Sequence, residues 1–96
     1  MKDLQNTIEK AWEDRSLLNQ QKTIDAIREV VHLCDQGILR CAAPTKEGWQ
    51  VNQWVKKGIV LYFPIQQMET LEVGIFEYHD KIPLKKGYKE KGVRVV

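Results

Sequence analysis

Trp49–Ile65, WQVNQWVKKGIVLYFPI, holds two of the chain's three tryptophans and its longest apolar run, and how this stretch reads decides the fold. Val51, Trp54, Val55, Gly58, Ile59 and Tyr62 recur at the spacing of one helical face, with Asn52 placed as an N-cap ahead of them. This phase points Lys56 and Lys57 outward and puts Trp54 in the buried seam. A strand over Ile59–Phe63 competes, because those residues are β-branched or aromatic and Gly58 costs a helix about 1 kcal/mol relative to Ala. We take the helix. Pro64 lacks an N–H and disfavours the α region for Phe63, so the element is expected to stop near Phe63.

The remaining segments supply partners for this helix. Leu4, Ile8, Ala11 and Trp12 form the apolar stripe of a helix over Asp3–Arg15, with Glu9, Lys10 and Glu13 facing water. Ser16–Gln21 is a polar connector. A second helix is expected over Lys22–Gln36, with Ile24, Ile27, Val31 and Cys34 on one seam and Val30 beside it, ended by Gly37 in the left-handed position past its C-terminus. The period then changes. Ile38–Ala43 and Trp49–Val51 read as the strands of a hairpin around a Pro44–Gly48 turn, too short to persist without packing on helices. Met68–Ile75 reads as strand or loop, Phe76–Lys81 is undetermined, Lys85–Gly92 reads as flexible, and Val93–Val96 is β-branched enough to open a strand. The fold class is α+β: a small helical domain of about three helices with a short β-hairpin.

Ninety-six residues allow one small domain with a modest core, too little for a large enclosed active site. The net charge of +2 argues against nucleic acid as a partner, since phosphate binding needs a dense basic face. Lys81, Lys85, Lys86, Lys89, Lys91 and Arg94 do cluster late, and they read as a solvated connector. No apolar run reaches the roughly 18–20 residues of a membrane helix, and the opening Met1-Lys2-Asp3 leads into an amphipathic pattern rather than a signal peptide; a soluble, cytoplasmic protein is expected.

A search for chemistry returns little. There is no Gly-rich phosphate loop, nucleophile elbow, HExxH or CxxC pair. Cys34 and Cys41 read as reduced, partly buried thiols rather than a disulfide or metal site. His32 lies on a different helix face from Cys34, so it cannot serve that thiol as a base. Glu9 and Glu13 read as a solvated surface pair, and the adjacent His79 and Asp80 are poorly placed to bond one another. No catalytic, cofactor-binding or metal-ligating residue is assigned.

Four strings carry a family resemblance: Leu4-Gln5-Asn6-Thr7-Ile8-Glu9; Asp35-Gln36-Gly37-Ile38-Leu39-Arg40; Trp49 with Gln53-Trp54-Val55-Lys56-Lys57; and Asp80-Lys81-Ile82-Pro83-Leu84-Lys85 with the closing Gly92-Val93-Arg94-Val95-Val96. In this order they resemble the N-terminal domain of tetrahydrodipicolinate N-succinyltransferase. The resemblance implies a single N-terminal domain over 1–96, with 84–96 a connector toward a left-handed parallel β-helix whose hexapeptide repeats do not occur here. It implies succinyl transfer from succinyl-coenzyme A, the co-substrate, to an amine of a ring-opened dicarboxylate in lysine and diaminopimelate synthesis, by a homotrimer acting between β-helices. It implies no cofactor held by this domain, and it implies that Arg94 contacts the dicarboxylate substrate, a role suited to a permanently charged planar fork. The segment between Pro83 and Gly92 is shorter than in well-known members, which affects where Arg94 sits. The apolar finish at Val93–Val96 is expected to lead into a further domain. The alternative from another class is a stand-alone protein-interaction or nucleic-acid-binding domain.

Overall fold

A computed structural model describes residues 1–96. It is α+β, with three α-helices and two separate two-stranded antiparallel sheets. The chain divides into two compact units, Met1–Ile65 and Gln66–Val96. None of its helices is long and apolar enough to cross a membrane.

In the first unit, α1 (Lys2–Glu13) is followed by a 3₁₀ turn (Arg15–Asn19), α2 (Gln21–Asp35), β1 (Ala42–Thr45), β2 (Gly48–Val51) and α3 (Gln53–Ile65). The expected polar connector is therefore structured. Asp14 leaves the helical conformation, and its carboxylate accepts from the Ser16 backbone N–H (3.1 Å) and hydroxyl (2.6 Å). This turns the chain so that Leu17 and Leu18 pack on the core. At the end of α2, Ile38 N–H donates to Leu33 C=O (2.9 Å) and Gly37 N–H to Cys34 C=O (3.1 Å), with Gly37 at φ +76°. This paired arrangement satisfies carbonyls the helix leaves open, and Gly enters it without a Cβ penalty. Ile38 is consumed by the cap, so β1 starts at Ala42 rather than Ile38. The turn is tighter than Pro44–Gly48: Thr45 pairs with Gly48, leaving Lys46 and Glu47 as the loop, and Pro44 lies within β1 opposite Trp49. Glu47 N–H donates to the Thr45 hydroxyl, which itself donates to Gly48 C=O at 2.6 Å.

The strand alternative for Ile59–Phe63 is excluded; these residues are helical. The helix runs through Pro64 to Ile65, past the expected stop. Pro64 removes only the bond to Val60 C=O, on a half-exposed residue that water can reach, so the last turn tolerates it. The buried face differs from the expected one. Val55, Gly58, Leu61 and Tyr62 are buried, whereas Trp54 and Ile59 are half-buried and Val51 belongs to β2 with 67% of its surface exposed. The apolar pattern admitted both phases, and packing against two helices selected the one centred on Leu61. Asn52 sits at the N-cap position, but its side-chain amide donates to Arg40 C=O (2.9 Å), tying the hairpin entrance to its exit. In α2 the buried positions are Thr23, Ile27 and Val30, so the seam centres on Val30 rather than on Ile24 and Val31.

Ile8 and Ala11 from α1, Ile27 and Val30 from α2, and Val55, Leu61 and Tyr62 from α3 form the core. Its tightest point is Gly58. A Cβ built there would lie 2.9 Å from Val30 Cγ1 and 3.3 Å from Val30 Cβ and Cγ2, so the α2–α3 contact depends on the missing side chain. Val30 is fully buried and stiff at χ1 and cannot swing away. We expect Gly58→Ala to destabilise by about 1–3 kcal/mol through overpacking, outweighing its gain of about 1 kcal/mol in helix propensity. Denaturant melts of the single variants and of Gly58→Ala/Val30→Ala check this. In the double variant the clash is gone, so its loss should be less than the sum of the two single losses.

The second unit contains β3 (Glu69–Val73) and β4 (Phe76–Asp80), paired antiparallel around Gly74-Ile75. The sequence leaves this second hairpin open between strand and loop. All ten of its strand residues are exposed. Beyond Pro83 there is no helix or strand, so Val93–Val96 does not open a strand within this chain.

Candidate functional site

Arg94 is the one residue to which the resemblance assigns a substrate contact, and the backbone leading to it is ordered by local hydrogen bonds. Lys91 N–H donates to Gly87 C=O (3.1 Å), Gly92 N–H to Lys89 C=O (3.3 Å) and Val93 N–H to Tyr88 C=O (2.8 Å). Gly92 lies at φ +69°. The last two bonds repeat the pattern that ends α2 at Gly37: one isolated helical turn, closed by a left-handed glycine and a β-branched residue. Within Lys85–Gly92, which the sequence reads as flexible, Gly87–Gly92 form this hydrogen-bonded turn. The signal was Gly92 standing where a helix cap would place it, after a polar turn too short to read as a helix. Arg94 follows two residues beyond Gly92 and is exposed. The Val93 N–H to Tyr88 C=O bond fixes the backbone one residue before it.

An open groove of ≈ 850 Å³ also lies in this unit, between the hairpin and Ile82–Lys86. Arg94 is not part of its wall. The groove carries Glu69, Glu72, Glu77 and Asp80 against Lys81, Lys85 and Lys86, so its lining has no excess of positive charge to hold a dianionic ligand. His79 and Asp80 are not a catalytic pair: His79 Nδ1 is 2.7 Å from the Thr70 hydroxyl, and Asp80 accepts from the Lys81 backbone N–H.

In the first unit, Lys57 does not point into water with Lys56. Its ammonium lies 2.8 Å from a Glu9 carboxylate oxygen, both groups partly buried, and 5.8 Å from the Trp12 ring centre. Arg15 sits over the same ring at 5.0 Å. Glu9 is therefore a tether between α1 and α3 rather than a solvated surface acid. Residues 48 positions apart give no sequence signal for such a pair. A smaller cleft beside it, lined by Gln5, Glu9, Gln50, Asn52, Gln53 and Trp54, offers mainly carboxamides.

Both cysteines are free; Cys34 is half-buried, and Cys41 is exposed rather than partly buried. Burial pushes the Cys34 thiol above its ordinary value of 9.0, and the nearby Cys41 adds to the shift. A thiol so placed packs as a small hydrophobe and is a poor nucleophile at neutral pH. In the pH range above 9.0 the unfolded chain ionises at this position before the folded one. The neutral thiol's contribution is therefore intact below that range and is lost as pH rises through the folded value. Thermal melts at pH 8 and pH 10 should show a larger loss for the wild type than for Cys34→Ala, and equal losses would place the thiol in water.

The family described as Tetrahydrodipicolinate N-succinyltransferase N-terminal matches residues 3–65, the span of the helical unit. The chain belongs to this family. Relatives named 2,3,4,5-tetrahydropyridine-2,6-dicarboxylate N-succinyltransferase extend the likeness into the second unit. The protein of Bordetella petrii is 38% identical over 104 positions, covering 98% of this chain and 38% of the relative. That of Pseudoalteromonas translucida is 33% identical over 106 positions, covering all of this chain and 38% of its own length. That of Pelagibacter ubique is 39% identical over 90 positions, covering 91% and 33%. The chain thus spans little more than a third of the succinyltransferases it matches. The 106 aligned positions exceed the chain's 96 residues, so that relative carries residues absent here.

Proposed function

We propose that this chain forms the N-terminal part of a tetrahydrodipicolinate N-succinyltransferase in lysine and diaminopimelate biosynthesis. The amine of the ring-opened tetrahydrodipicolinate attacks the thioester carbonyl of succinyl-coenzyme A. A C–N bond forms as the C–S bond breaks, the amine loses a proton and coenzyme A leaves as the thiol. The observation that carries this reading is the match along all of Met1–Val96, the segment bearing Arg94 included, to relatives with that name. In the reading, residues 84–96 lead toward a β-helix domain, the enzyme is a cytoplasmic homotrimer, and its catalytic groups lie between β-helices. Arg94 holds one carboxylate of the substrate through two parallel charge-assisted bonds. No cofactor is assigned to this domain. The ordered Gly87–Val93 turn supports the role, because a side chain that grips a carboxylate gains from a fixed origin.

Expression of the complete reading frame tests it. The product should release coenzyme A thiol only when both succinyl-coenzyme A and tetrahydrodipicolinate are supplied, and residues 1–96 alone should release none. A native frame that stops after codon 96, with a product that binds protein or nucleic acid by itself, would establish the stand-alone alternative.

A further inference from the structure

We draw no further inference here: the strongest candidate, the exposed face of the first hairpin where Arg40 lies over the Trp49 ring beside Val51, carries nothing because nothing in the structure shows what covers it.

Discussion

Leu61→Ala should lower the unfolding free energy of the helical unit by about 2–5 kcal/mol, the cost of emptying a fully buried leucine site. Leu61 has no exposed surface and lies in the seven-residue core where α3 meets α1 and α2. The effect is large against the total. A unit of 65 residues, at about 0.05–0.15 kcal/mol per residue, carries only roughly 3–10 kcal/mol. Denaturant unfolding followed by tryptophan fluorescence measures it, since Trp12, Trp49 and Trp54 all lie in this unit. Trp54→Ala is the informative comparison. From the sequence phase, Trp54 was the expected anchor and would have carried the roughly 3–5 kcal/mol of a buried tryptophan. It is only half-buried, so its removal should cost less than that of Leu61. The reverse order would mean that α3 is rotated toward the Trp54 phase.

In the full-length enzyme, Arg94→Lys should reduce kcat/KM for tetrahydrodipicolinate about ten- to a hundredfold, the equivalent of roughly 1.5–3 kcal/mol, while leaving KM for succinyl-coenzyme A near its wild-type value. Lysine keeps the positive charge but offers a point donor where arginine offers a planar fork, so only the two-pronged grip on the carboxylate is lost. On the proposed reading the thioester co-substrate binds elsewhere and should be indifferent. Steady-state kinetics with each substrate varied in turn separate the possibilities. Unchanged constants for both would leave Arg94 a surface residue between two valines, and equal damage to both would indicate a folding or assembly defect. The turn that anchors Val93 to Tyr88 adds a second expectation. Gly92→Ala forces a Cβ into a φ of +69° and should lower kcat/KM in the same substrate-selective way, though less than Arg94→Lys.

What could be read from the chain was what local chemistry controls. The α1 and α2 periodicities, Gly37 as a helix terminator, the first hairpin and the α+β class all follow from residue spacing and turn preferences that act within a few positions. The family was legible for the same reason: its strings are contiguous. The readings that need correction involve partners far apart in sequence. The helix over Ile59–Phe63 is read correctly, but whether Trp54 or Leu61 faces inward depends on two other helices, because an all-round apolar segment permits several phases and packing density selects one. The helical phase of α3 points Lys57 outward, and only the fold brings Glu9 to its ammonium. The hairpin over Glu69–Asp80 was obscured because its strands carry glutamates and a histidine among the apolar residues, a composition that fits an uncovered edge better than a core. Arg94 lies between these cases: its identity in a motif is a property of the sequence and the turn before it is a property of the backbone around Gly92, whereas a contact between its guanidinium and a ligand is beyond local sequence to decide, since a binding site needs groups that converge from separate parts of the polypeptide.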